Sequence, residues 1–479
     1  MIVAFGTYDA ARHPRVGVLV AGLRAHGYDV VELDRPLGLT TAERVRMLRE
    51  PWRLPLLVVR LLACWARLVG DAVALRVRHG APDAVLVGYL GHFDVLLARL
   101  LYPRTLLVLD HLVFAADTAT DRGARGLRVR LLRLLDRAAT GAADVVVTDT
   151  ADHRAMLHDP TRGVVVPVGA PDAWFAAGEP DGGESDGGGS DSGASAGTES
   201  DSGAAAGTES DDGESDAAES GGGEPGGAAR APVPGEPLRV VFFGLYTPLQ
   251  GAPLIGQALA LAAAAGTRLD VTMIGHGQDL EATRRAAGGS AGGVVSTGST
   301  TGGGSTTGGG STSGGGSGRV RVTWREWVEP GELPGIVARH HVCLGIFSDT
   351  PKGLRVVPNK VFQGLAAGRV VVTSDTAPQR GLLGDHLELV PPADPAALAA
   401  RLAELADPAR YEAAAARARA GRDAVRPAAV VEPLLAVLDP VSEPGPPVVE
   451  PVETTRRRPA ATPSDRPPSS NRSSRSWTR

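Results

Sequence analysis

The chain has 479 residues, enough for two or three domains with sizeable cores. Only 4% of residues are aromatic and no block is strongly basic, which excludes a nucleic-acid-binding footprint. The net charge of −5 is uneven: residues 1–175 hold 22 Arg against 18 acids, whereas residues 176–236 hold 15 acids against a single Arg, so the acidity belongs to a linker.

Two cysteines, Cys64 and Cys343, lack metal or redox spacing and fit buried thiols in a reducing compartment. The start "MIVAFGTYDA" shows no secretory signal pattern, so a cytoplasmic location is expected.

In chain order, "MIVAFG" predicts a strand, "PRVGVLVAGLRAHG" a helix opened by Pro14 and closed by Gly27, and "DVVEL" a second strand. "LPLLVVRLLACWARLV" (54–69) is short for a membrane span and is interrupted by Arg60 and Arg67. It predicts an amphipathic helix that packs on a domain, with peripheral contact at the membrane inner face as the alternative. "DAVLVG", "TLLVLD" and "DVVVTD" follow, apolar runs ending in turns, as buried parallel strands do.

Residues 178–236 are Gly, Ser, Asp, Glu and Ala, too poor in apolar surface to offset ordering entropy, and are expected to be disordered. A second α/β block begins at "LRVVFFG" and continues through "LIGQALALAAAAG", "LDVTMIG", "RVRVTW", "VCLGIF", "RVVVTSD" and "LELV". A Gly/Ser/Thr tract (287–318) reads as a flexible insertion, and a Pro/Arg/Ser tail (441–479) as unstructured. The expected architecture is α/β with two Rossmann-like domains, 1–177 and 237–440, facing one another across a cleft at the strand C-terminal edges.

Lys352 and Lys360 are the chain's two lysines among 49 Lys and Arg, and both lie in "PKGLRVVPNKVFQGLAAG". A compact ammonium serves as a point-charge partner for phosphate. A helix starting near Pro358 would aim free N–H groups and its positive dipole end at the preceding loop. The order strand–"GLYTPLQG"–helix, strand–"GHGQD"–helix, then "PNK" with a helix ending "LAAG", resembles the nucleotide-sugar domain of family 4-like glycosyltransferases, which have the two-Rossmann-domain fold called GT-B. The likeness is to the bacterial cell-wall and polysaccharide branch. "VVVPVGAPDAWF" is similar to that family's interdomain segment.

The resemblance implies sugar transfer with retention from a nucleotide-sugar donor to a glycan, lipid-linked or small-molecule acceptor, without a metal or other cofactor. It implies front-face attack, in which the leaving phosphate accepts the acceptor's proton. Lys360, with His111 and His92 on the first domain, is the expected catalytic set. Gly244, Gly251, Gly275, Gly277, Lys352, Arg355, Asn359 and Gln363 are expected to bind the donor, and Tyr8, His13 and Arg15 to face the acceptor. The family's two glutamates fall on Arg355 and Gln363, and the cations of its phosphate clamp on Leu245 and Gln250. These departures keep open a non-catalytic nucleotide-sugar-binding module; a sugar-nucleotide epimerase of the same fold is the other alternative.

Overall fold

The computed structural model of the chain describes residues 1–9, 14–38, 54–89, 91–121, 123–179, 230–288, 295–299 and 320–442. Most of the acidic linker, most of the Gly/Ser/Thr tract and nearly all of the tail lie outside these residues, as does His13.

The first apolar runs build one parallel sheet. Its strands are β1 (Ile2–Gly6), β2 (Val30–Asp34), β3 (Ala84–Val87), β4 (Leu106–Asp110), β5 (Val145–Thr148) and β6 (Gly163–Val165), in the order β2-β1-β3-β4-β5-β6. The helices are α1 (Pro14–Ala25), α2 (Leu54–His79), α3 (Asp94–Leu101), α4 (Ala115–Asp121), α5 (Leu127–Ala142), α6 (Ala151–Ala155) and α7 (Asp172–Ala177). β1 shows why both faces need cover: Ile2 and Ala4 join the core beneath α1, whereas Val3 and Phe5 join the core beneath α2, α3 and α5. A strand alternates its side chains between faces, so an unbroken apolar run needs two cores.

The second sheet repeats the plan with β7 (Leu238–Phe243), β8 (Leu269–Ile274), β9 (Val295–Ser299), β10 (Val320–Arg325), β11 (Val342–Leu344), β12 (Val370–Ser374) and β13 (Glu388–Val390). The order is β13-β12-β11-β7-β8-β10-β9, again parallel. Its helices are α8 (Ala252–Ala264), α9 (Leu280–Gly288), α10 (Leu333–Ala338), α11 (Asn359–Ala366), α12 (Ala377–Leu383), α13 (Pro395–Leu405), α14 (Pro408–Ala420) and α15 (Pro427–Ser442). β9 corrects the reading of 287–318 as wholly flexible: residues 295–299 pair in register with β10 as an edge strand. Edge pairing can order a short stretch whose composition alone promises none.

The chain crosses between the sheets twice. α7 buries Trp174 and Phe175 against the second sheet, with Trp174 stacked on Phe243 at 5.7 Å. α15 returns to the first sheet, where Val430, Val431, Leu434 and Leu438 fill the core beside Val18, Leu19 and Leu23. This corrects the assignment of 427–440 to the second domain: the helix completes the first domain's core. Periodicity shows that α15 has an apolar face but not which sheet receives it.

Gly22 is where α1 and α15 come closest. A Cβ at Gly22 would collide with the Pro427 carbonyl oxygen and come within 2.7 Å of Val431 Cγ1, while one at Gly17 on the same helix meets nothing within 4 Å. Gly22→Ala is expected to destabilise the first domain by about 1–3 kcal/mol through overpacking. Gly17→Ala is expected to stabilise it by about 0.5–1 kcal/mol through helix propensity. Thermal melts of the two variants should therefore shift in opposite directions.

Candidate functional site

The C-terminal edges of the parallel strands gather the polar groups. On the second sheet, Gly244 directly follows β7 and Gly275 directly follows β8. Gly244 has φ +124° and Gly275 also +124°, and a Cβ on Gly275 would strike the Gly244 carbonyl. Only glycine lets these two turns approach so closely. Gly277 continues the second turn against Tyr246, and Gly251 starts α8 against the Ser348 backbone.

Lys360 lies in the first turn of α11, which begins after the extended Pro358. Its side chain passes inward rather than out. Nζ donates to Gln250 Oε1 at 2.7 Å and sits 3.8 Å above the Phe242 ring, and a Cβ at Gly244 would lie 3.4 Å from it. Lys360 is only 5% exposed. Among the described residues no carboxylate forms an ion pair with it. Burial pushes its pKa down to about 7, slightly opposed by Cys343 beneath it.

A buried ammonium held by a neutral amide and a ring face lacks an anion. Gln250, where the resemblance would place a clamp cation, is the acceptor that holds Lys360 Nζ. Asn359 is exposed and Gln363 half-buried one helical turn further along α11.

Lys352 and Arg355 turn instead to the first domain. Lys352 Nζ donates to Thr118 Oγ1 at 3.0 Å, and Arg355 pairs with Asp117 Oδ1 at 3.3 Å. The Arg355 carbonyl also accepts from Thr150 Oγ1 at 3.1 Å. In this structure, then, both cations brace the two domains across the loop that leads into α11.

On the first sheet, His92 follows β3 and His111 follows β4. Their rings meet edge to face at 4.9 Å, and a ring row continues through Phe114 at 4.6 Å to His153 a further 5.8 Å on. His92 Nε2 bonds Asp136 Oδ1 at 3.1 Å, and His153 Nδ1 bonds Asp149 Oδ1 at 2.5 Å. His111 Nε2 is buried without a hydrogen-bond partner among the described residues, and burial, helped by His92, pushes the ring's pKa down to about 3.

Asp136 orders this corner. Burial would raise its pKa, but hydrogen bonds from His92 and from the Ala116 and Ala115 N–H groups outweigh that and lower it. His92, His111 and Asp136 offer ligand atoms within 4.8 Å of one another, the group among the described residues with metal-ligand chemistry. Those three hydrogen bonds, however, commit the Asp136 carboxylate to His92 and to the start of α4.

Two acceptor-side expectations are corrected. Tyr8 is 3% exposed, packs in the core under α1 and uses the space that Gly88 leaves open, its hydroxyl buried without a partner among the described residues. Arg15 is also buried, its guanidinium consumed by Asp110 Oδ1 at 3.3 Å and by the Val166 and Pro167 carbonyls. Both occupy the interior of the βα turn, not its rim.

Sequence reasoning missed Asp136, Asp149 and His153. The last two stand four apart directly after the "VVVT" strand, a D-x-x-x-H signal at a strand end that could have been read. Asp136 gives no such signal, because its partner His92 is 44 residues away.

His111 also makes a pH statement. Its folded pKa of about 3 lies below the ordinary 6.5, so the unfolded chain takes up a proton that the folded one refuses. Stability from this group is intact above pH 6.5 and is lost as pH falls towards 3. Between pH 7 and pH 5 the wild type should lose up to about 2 kcal/mol that His111→Gln does not lose. Urea titrations at the two pH values measure the difference.

Comparison with known proteins follows this geometry. Residues 298–430 match a family model described as glycosyl transferase-like. No curated protein matches the chain by sequence. Among solved structures it is similar to sucrose-phosphate synthase from Thermosynechococcus elongatus, with TM-score 0.51 and 14% identity over 92% of this chain and 99% of that one. It is also similar to the apo structure of OtsA, with TM-score 0.51 and 12% identity over 93% and 99%. Anabaena HepE, solved in complex with UDP, aligns with TM-score 0.47 and 11% identity over 92% and 98%. The likeness to the first two shows the fold, GT-B, with its two Rossmann-like sheets.

Proposed function

We propose that the protein is a nucleotide-sugar-dependent glycosyltransferase of the family 4 type, acting with retention on a cell-envelope, polysaccharide or small-molecule acceptor. One observation carries the reading: Lys360 is buried at the strand-edge turn of the second sheet, held by Gln250 and beside Gly244, with no carboxylate among the described residues to balance it. A donor diphosphate supplies the missing negative charge, and the start of α11 adds backbone N–H groups. The family match over 298–430, which contains Lys360, supports the same assignment.

In the reaction the bond from the sugar's anomeric carbon to the diphosphate breaks and a bond from that carbon to the acceptor oxygen forms. The acceptor's proton passes to the departing phosphate oxygen. Lys360 stabilises the charge that accumulates on the diphosphate, and Gln363 binds the ribose. His111, neutral and with a buried Nε2 that has no partner among the described residues, orients the reacting sugar, with His92 and Asp136 fixing the rings. The reaction is proposed to need no resident metal, because Lys360 and the helix start meet the diphosphate charge. Activity should therefore survive exhaustive EDTA treatment.

The test is calorimetry and product analysis against UDP-, GDP- and ADP-sugars. Release of the nucleoside diphosphate with sugar transfer supports the proposal. Epimerised sugar nucleotide without release would assign an epimerase instead. Binding without turnover would assign a non-catalytic module, the reading favoured by the engagement of Arg355 with Asp117.

Lys360→Met should weaken nucleotide binding at least tenfold while leaving the unliganded melting temperature level or higher, because it removes a buried charge from an apolar setting. The sign of the pH effect follows from the pKa of about 7 in the free protein. A bound diphosphate restores the proton, so affinity should fall as pH rises from 6.5 to 9, with proton uptake seen as a buffer-dependent enthalpy. In Lys360→Met that component of both effects should vanish.

A further inference from the structure

The first domain carries an outer surface that the cleft chemistry does not use. α2, α3 and α5 cover one face of the first sheet, where Leu68, Ala72, Val95, Ala98 and Ala139 supply the buried contacts. At 26 residues α2 is roughly 39 Å long, more than twice the height of the strands it covers. Its C-terminus leads directly into β3, so its N-terminal half must overshoot the sheet on the C-terminal-edge side, and residues 58–60, 62 and 63 are exposed accordingly.

The exposed side of this layer is apolar. On α2, Val59, Leu62, Val73 and Val77 are 62%, 54%, 54% and 81% exposed and lie opposite Leu68 and Ala72. On α5, Leu127, Leu131 and Leu134 are 71%, 56% and 64% exposed at i, i+4 and i+7, a single stripe turned away from buried Asp136 and Ala139. Leucine and valine stripes of this extent on two helices of one layer, with α3 between them, mark an interaction surface.

Charge identifies the partner. Arg128, Arg130, Arg133 and Arg137 on α5 and Arg60 and Arg67 on α2 are all exposed. The acids of these helices are withdrawn: Asp94 and Asp136 are buried, and Asp71 is paired with Arg35 at 2.7 Å. Among the described residues the layer therefore presents apolar stripes flanked by unopposed positive charge. No helix there is long and apolar enough to cross a membrane.

We propose that the outer layer of α2 and α5 docks on an anionic lipid bilayer, with the leucine and valine stripes entering the headgroup boundary and the arginines meeting lipid phosphates. Apolar burial and charge attraction act together in such interfacial binding. The N-terminal ends of α2, α3 and α5 stand at the same sheet edge as His92 and His111, so docking holds the first-domain side of the cleft at the membrane surface.

The experiment is vesicle co-sedimentation of the full chain on phosphatidylcholine alone and on phosphatidylcholine with phosphatidylglycerol. Binding to the mixed vesicles only, reversed by high salt, is the expected result. Replacing Arg128 and Arg133 with Gln should lower that binding roughly tenfold, and so should Val59→Gln with Leu62→Gln and Leu131→Gln with Leu134→Gln. Unchanged melting temperatures show that the variants fold, and the arginine pair alone suffices if the apolar set does not. Three results overturn the proposal: no binding to either vesicle, binding that all variants retain, or a wild-type dimer in sedimentation that the apolar variants abolish without any vesicle binding.

Discussion

The architecture depends on a double crossing. After β6 the chain passes to the second sheet through α7, and after α14 it passes back through α15; the two passages touch where the Ala170 N–H donates to the Val425 carbonyl at 3.1 Å. Gly169, with φ +70°, lies against Val18, Val430 and the Val425 carbonyl. Because each passage ends in the other sheet's core, neither domain completes its hydrophobic burial from its own continuous segment. That reciprocity ties the two sheets together at the double crossing.

The second constraint is the state of the cleft groups. Lys360, with its pKa near 7, and His111, with its pKa near 3, are both biased towards their neutral forms by burial. For the lysine the displacement from 10.5 corresponds to a preference of ~5 kcal/mol for the neutral amine over its solvent value. A stability-driven interior would place an apolar residue there, since cores tolerate Met or Leu over an aromatic ring readily. Burying the ammonium stores a demand for negative charge, and an arriving anion meets a donor already in place.

Much of the fold was legible in the sequence, because buried parallel strands announce themselves as β-branched apolar runs. "TLLVLD" and "RVVVTSD" became β4 and β12 at the expected positions. What escaped was tertiary choice. α15 reads as one more amphipathic helix following the second domain, yet it belongs to the first sheet, and only Gly22 facing Pro427 reveals why. At the candidate site, strand-end position drew attention to His92 and His111, whose rings meet. The same rule misplaced Tyr8 and Arg15, since a residue just after a strand can turn under the sheet edge as easily as over it. Lys360 stood out by composition, one of two lysines, but its burial depends on Phe242 and Gln250, more than 100 residues away.

Lys352 and Arg355 give the final step. They lie on the loop leading into α11, and their first-domain partners, Thr118 and Asp117, lie on α4, the helix that follows His111. The two halves of the candidate site are thus joined by short polar links, one an ion pair that is partly exposed on both sides. Exposed pairs of that kind contribute at most about 1 kcal/mol, so they can break when the domains separate and re-form when they close. The tightly packed contacts lie at α7 and α15, and the weak polar ones at the cleft. Under the proposed function, opening at the cleft about the double crossing would be the mobility that admits a donor and releases a diphosphate.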